Sequence, residues 1–218
     1  MTADELKRNI DNVLCKVDRA ARSAGQCVKV VAATKTVSAE LINTALEFGI
    51  TDIGENRVQE YLEKRDAVKT AKWHFIGTLQ RNKAKYLVGN VSLVQSVNSL
   101  ALALEIDGLA EKKGVCQDVL IEVNIGGEAS KTGAAADGAE ELIERATSLR
   151  HIAVRGIMSV PPKDAEDGLY KKLYGLFDKY KSGMFDTLSV GMSGDYEKAI
   201  LFGSNLVRIG TAIFGRRY

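Results

Sequence analysis

Proline is scarce in this chain of 218 residues: there are two, adjacent, at Pro161 and Pro162. There is no proline-, glycine- or serine-rich linker and no low-complexity tract, so one domain over residues 1–218 is expected. Cysteine is nearly as rare. Cys15, Cys27 and Cys116 stand far apart and form no Cys-x-x-Cys or Cys/His cluster, so no metal site is expected. An odd, sparse set of thiols fits a reduced, cytoplasm-like compartment. An excess of one charge is missing too: Lys+Arg 30 against Asp+Glu 28 leaves +2. The two signs are intermixed, which removes the electrostatic case for nucleic acid or an acidic membrane surface. Arg216 and Arg217 are too few to make a basic tail. No apolar run reaches the length of a membrane span. The polar, amphipathic start MTADELKRNI has no leader-like apolar core, so no leader is expected.

What is present is ordinary for a globular chain with a sizeable core, 45% hydrophobic and 27% charged. Short β-branched runs alternate with helical patterns. The first helix is expected over 2–24, with Leu6, Ile10, Val13, Leu14 and Val17 at helical spacing, Thr2 or Asp4 as cap and Gly25 as stop. Strands follow at VKVVAATK, ITDIGE, WHFIGT, VSLVQSV, QDVLIEVN, IAVRGIMSV, DTLSVGM and LVRIGT, with helical segments between them. Eight strands alternating with helices imply parallel pairing through right-handed crossovers. The expected fold is α/β, a single (β/α)₈ TIM barrel with an extra N-terminal helix. The alternative, an open doubly wound sheet, lacks its Gly-x-Gly-x-x-Gly after the first strand.

In such a barrel the chemistry sits where strands end. The run VVAATK ends in Lys35, an expensive residue to place beside a buried strand. It reads as a surface lysine of a loop or as an amine poised to attack an aldehyde. Gly191, Ser193 and Gly194 follow the seventh strand, and Gly210 and Thr211 follow the eighth. Loops after these two strands often hold phosphate, so Ser193, Gly210 and Thr211 could form one cup, or be ordinary turn and capping residues. Arg208 lies two residues before Gly210, on the same strand face, and needs a partner there: a carboxylate or a ligand ring nitrogen. Glu55 and Asn56 end the second strand, as helix caps or with Asn56 offering its amide to a ligand. His74 within WHFIG reads first as a satisfied core group. NIGGEASKTG, with Lys131, matches no nucleotide fingerprint and reads as a flexible loop. A lysine, a phosphate cup and an inward arginine are together what a pyridoxal phosphate aldehyde needs.

The segments VVAATKT, DIGENRVQEY, WHFIGTLQRNKAKYL, VQSVNS, EVNIGGEASKTG, VRGIMSV, LSVGMSGDYEKAI and VRIGTAIFGRR, in that order, resemble the YggS/PROSC-type pyridoxal phosphate homeostasis proteins, related in fold to the barrel domain of alanine racemase. The resemblance implies a covalent aldimine at Lys35, the phosphate on Ser193, Gly210 and Thr211, Arg208 at the pyridine nitrogen, Asn56 near the ring and its 3-hydroxyl, and Met192 lining the pocket. It implies a role in balancing the vitamin B6 pool, with no robust catalytic activity. Val37-Ser38 stands where many members have a basic residue and a proline, and Gly126 where a serine is common.

Expected partners are pyridoxal phosphate and, as recipients, pyridoxal phosphate-dependent apoenzymes, with no nucleic acid, no membrane, and a cytoplasmic monomer as the state. An arginine can only donate to the ring nitrogen, keeping it unprotonated and a poorer electron sink. That argues against carbanion-heavy chemistry, although alanine racemase also uses an arginine there, with a tyrosine base from a second domain that is not expected here. Two other readings remain. One is an amino-acid racemase or decarboxylase with His74 or Tyr61 as base. The other is a barrel for another phosphorylated metabolite, with Lys35 as a plain anion contact.

Overall fold

The structure, a computed structural model, describes residues 1–126 and 133–215, and only the backbone of 136 and 137. The readings of Lys131, of most of the NIGGEASKTG loop and of Arg216 and Arg217 lie outside the described residues. Eight strands run β1 (Lys29–Ala33), β2 (Asp52–Glu55), β3 (Lys72–Phe75), β4 (Leu93–Val97), β5 (Gln117–Asn124), β6 (Ile152–Met158), β7 (Thr187–Ser189) and β8 (Leu206–Ile209). Each pairs in parallel with the next, and β8 pairs with β1, so the sheet closes into a barrel. A two-residue strand, Ala134–Ala135, adds to β5 outside this ring.

The helices are α1 (Ala3–Ala24), α2 (Ala39–Glu47), α3 (Val58–Lys64), α4 (Leu100–Lys113), α5 (Ala136–Thr147), α6 (Asp167–Tyr180), α7 (Tyr196–Leu201) and α8 (Thr211–Phe214). The amphipathic stripe of α1 buries Leu6, Ile10, Val13 and Val17, and the helix lies against α7 and α8. Thr2 is the cap: its hydroxyl accepts from Glu5 N–H and the Glu5 carboxylate accepts from Thr2 N–H, while left-handed Gly25 ends the helix. Ser38 and Ser99 cap α2 and α4 by accepting from the backbone three residues on.

Alternation along the strands builds two cores. Ile53, Phe75, Val119, Ile121, Ile157, Val207 and Ile209 face the helices. Val31, Leu93, Leu120, Met158 and Leu206 fill the barrel. The helical segment expected between β3 and β4 is a 3₁₀ turn, Arg81–Tyr86. After α3 ends at Lys64, Asn43 of α2 holds the following chain by donating to the Ala67 carbonyl and accepting from the Lys69 N–H. The terminal helix α8 has no counterpart in the sequence reading. No helix among the described residues is long and apolar enough to cross a membrane.

Candidate functional site

The strand ends bring most of the sequence candidates to one mouth. Val31 pairs in register with Arg208. Half-buried Lys35 lies in the turn two residues after β1 ends at Ala33. A Cβ on Gly210 would meet Ala33 Cβ at 3.4 Å, so the β8 exit lies directly beside the β1 exit. From the other side of β8 comes the loop after β7. Its Ser193 Oγ accepts from the N–H of both Gly210 and Ala212, each at 3.2 Å. Ser193 and Gly210 are therefore joined by a hydrogen bond. Thr211, exposed, is the first residue of α8 between those two donors. The Ala212 N–H was not foreseen, because a backbone donor leaves its mark only through the helix start.

Two glycines shape the mouth. Gly191 has φ +104°, and a Cβ there would lie 2.8 Å from Ala199 Cβ and 2.9 Å from Tyr196 Cα, so only glycine lets α7 close over the loop. A Cβ on Gly77 would lie 2.1 Å from the Asn56 carbonyl oxygen, so only glycine lets the β3 exit cross the backbone of Asn56. Half-buried Asn56 is thereby fixed at the β2 exit. Met192 is exposed, and its N–H donates to Asp195 Oδ1 at 2.7 Å, while Asp195 Oδ2 accepts from the Tyr170 hydroxyl.

The turn that carries Lys35 is tied down by a buried ionic cluster. Lys64 Nζ, from α3, donates to Thr34 O at 2.9 Å, Glu55 Oε1 at 2.8 Å and Glu60 Oε2 at 3.2 Å. Glu60 Oε2 also accepts from Thr36 N–H at 2.6 Å, and Thr34 Oγ1 donates to Glu55 at 2.7 Å. Both neighbours of Lys35 are thus held by α3. Thr36 adopts φ +61°, a left-handed conformation costly for a β-branched residue and kept by these bonds. Glu55, expected as a helix cap, is instead this buried partner, 1% exposed, because the strand period turns it outward under α3. Burial pushes its carboxyl up, and Lys64 and Thr34 only partly offset it.

Arg208 is buried inside the barrel. Its Nη1 donates to the Ser189 carbonyl at 2.8 Å and to Ser189 Oγ, and Nη2 donates to Ser159 O at 2.8 Å. Burial pushes its pKa down to about 10, against the opposing charges of Asp195 and Glu122. It remains a cation at neutral pH, aimed along the same face as Gly210.

Of the two candidate bases, Tyr61 is on the outer side of the barrel. Its ring packs edge-on to Trp73 at 5.2 Å and its hydroxyl donates to Asn90 O. His74 is inside but engaged on both ring nitrogens, by Asp52 and Gln95. A cavity of about 1130 Å³ lies at the opposite, N-terminal end, lined by α1 together with Lys29, Asp52, Lys72 and Asp186. None of the mouth residues lines it, so the donor chemistry of the mouth, and not cavity size, identifies the site.

A family model, alanine racemase, N-terminal domain, matches residues 2–217. The chain is 42% identical over 220 residues to the pyridoxal phosphate homeostasis protein of Aquifex aeolicus, covering 95% of this chain and 96% of that one. It is similar to a crystal structure of a protein from Bifidobacterium adolescentis, at 32% identity and TM-score 0.89, covering 97% of this chain and 95% of that one. It is also similar to PipY of Synechococcus elongatus solved with PLP bound, at 25% identity and TM-score 0.82, covering 96% of this chain and all of that one.

Proposed function

The chain belongs to the alanine racemase N-terminal domain family, and from that premise we propose that it is a pyridoxal 5′-phosphate-binding protein of intracellular vitamin B6 homeostasis. It acts as one domain over residues 1–218, a cytoplasmic monomer, and holds the cofactor covalently as an aldimine of Lys35. It is a carrier without robust catalysis, and pyridoxal phosphate-dependent apoenzymes are its recipients. The observation that carries this reading is the convergence of the Gly210 and Ala212 N–H groups on Ser193 Oγ, one strand away from the Lys35 turn and beside a buried cation.

The residues present fit the group. Ser193 Oγ and the Gly210 and Ala212 amides are donors of the kind a phosphate takes, with Thr211 adding a hydroxyl. Arg208 would face the pyridine nitrogen, Asn56 the 3-hydroxyl, and Met192 the ring. The bound group supplies an aldehyde carbon that an amine captures reversibly. Arg208 stays charged and donates only, so it gives the ring nitrogen no proton to keep. Neither candidate base reaches the mouth free: Tyr61 is outside the barrel and His74 is bonded on both nitrogens. Binding and hand-off therefore suit this mouth better than proton abstraction.

The test is transfer. Protein loaded with pyridoxal phosphate is mixed with a pyridoxal phosphate-dependent apoenzyme, and separately with amino acids. Recovery of the apoenzyme's activity, with no amino-acid turnover by the carrier, is expected. Steady turnover of an amino acid would overturn the carrier reading.

A further inference from the structure

Behind Arg208 a line of buried side chains crosses the barrel. Ser189 Oγ of β7 donates to Gln95 Oε1 of β4 at 2.7 Å. Gln95 Nε2 lies 3.0 Å from His74 Nδ1 of β3, and His74 Nε2 lies 2.9 Å from Asp52 Oδ1 of β2. Asp52 Oδ2 accepts from Thr51 Oγ1. Ser189 and Gln95 are fully buried, Arg208 is 4% exposed, His74 3% and Asp52 2%.

The bonds run in one direction from Arg208. A guanidinium has donors only, so Ser189 Oγ accepts from Arg208, and its single hydrogen goes to Gln95 Oε1. That turns the Gln95 NH₂ toward His74, whose Nδ1 must then accept. The ring proton is left on Nε2, facing Asp52. Burial, the largest influence on Asp52, raises its pKa, but the bonds from His74 and Thr51 outweigh it and leave the carboxyl below its ordinary value. The carboxylate is the acceptor the line requires. With the Ser189 hydrogen on Gln95 Oε1, the five groups are satisfied when the His74 ring proton sits on Nε2. The other tautomer sets the Nδ1–H against the Gln95 NH₂. Turning the amide over to relieve that clash lets its NH₂ donate to the second lone pair of Ser189 Oγ, but leaves the Ser189 hydrogen without this acceptor.

We infer that His74 is a positioning residue for the ring-nitrogen contact: through Gln95 it holds the Ser189 hydroxyl in place under Arg208, and so fixes where the guanidinium points. The inference deepens the reading of the mouth as a pyridoxal phosphate site and rests on it. Asp52 and His74 also line a cavity of about 290 Å³ at the N-terminal end, with Lys29, Lys72, Asp118, Arg155 and Asp186, so the line begins at the face opposite the site it serves.

Two measurements separate the inference from the reading. Nitrogen-15 NMR of the ligand-free protein, labelled at histidine, reads the ring directly. A protonated Nε2 and an unprotonated Nδ1 at neutral pH are expected for His74, and the reverse tautomer or an imidazolium overturns the relay. Next, pyridoxal phosphate is added to wild type, His74→Leu, His74→Gln and Ser189→Ala, and both the visible band and the release rate are followed. His74→Leu and Ser189→Ala should shift the band and speed release by roughly tenfold, the loss of about one hydrogen bond. His74→Gln can still accept from Gln95 or donate to Asp52, and should recover part of the shift.

Unchanged band and release in His74→Leu, with wild type forming a chromophore, overturns the inference and leaves the site reading standing. A wild type that forms no chromophore overturns the site reading and the inference with it. If His74→Leu fails to fold, the tautomer read by nitrogen-15 decides: a protonated Nε2 supports the inference, and a protonated Nδ1 overturns it.

Discussion

Lys64→Met is the perturbation whose size the structure sets most clearly. The methionine keeps most of the stem and removes the ammonium that bonds Thr34 O, Glu55 Oε1 and Glu60 Oε2. Lys64 is 12% exposed and Glu55 1%, so the values known for surface pairs do not apply. Removing one partner of a buried pair leaves an uncompensated charge and costs about 3–5 kcal/mol. For a chain of this length that lowers the melting temperature by roughly 6–20 °C. The cost depends on pH, and its sign follows from Glu55. Burial already raises its carboxyl in the fold, and losing Lys64 raises it further. A folded-state pKa above the unfolded one contributes stability below the unfolded value, and that contribution is lost as pH rises through the folded one. The variant should therefore lie closest to wild type near pH 4–5, and the gap should widen toward pH 8 by up to about 1.4 kcal/mol per unit until Glu55 is ionised. Urea unfolding followed by circular dichroism at several pH values measures this. A loss under about 1 kcal/mol, flat with pH, would show that the cluster is solvated and does not hold the Lys35 turn.

Gly77→Ala should destabilise by about 3 kcal/mol, because its Cβ would sit 2.1 Å from the Asn56 carbonyl; thermal unfolding checks this, and a neutral result would mean that the β3 exit relaxes freely. Thr211→Val should weaken retention of pyridoxal phosphate by roughly 1.5–3 kcal/mol, one hydrogen bond to a charged group, and unchanged retention in equilibrium dialysis would remove Thr211 from the cup. Thr2→Ala breaks the capping box of α1 and should cost about 1 kcal/mol in urea unfolding, with no change in ligand binding.

The barrel was legible because its signals are local. The period-two runs, the helical stripe of α1, its Thr2 cap and its Gly25 stop each occupy a few consecutive residues, and they lie where the sequence placed them. The strand-end rule then brought Lys35, Ser193, Arg208 and Gly210 to one mouth. What escaped the reading is non-local. Glu55 and Lys64 are nine residues apart on different elements, and nothing in DIGENRVQEYLEK says that the strand period aims Glu55 under α3. Gln95 and Ser189 are 94 residues apart and meet only because the barrel closes. The Ala212 amide carries no side-chain signature. The same closure explains why His74, legible as a core histidine, also lies behind Arg208.

The central claim is tested most directly by adding pyridoxal phosphate to the purified protein, reducing it with borohydride, and mapping the adduct by peptide mass spectrometry, in wild type and Lys35→Ala. The account predicts a yellow protein whose reduced adduct lies on Lys35, and a folded variant with no trapped adduct. A protein that stays colourless, or an adduct that persists on another lysine in Lys35→Ala, would contradict it.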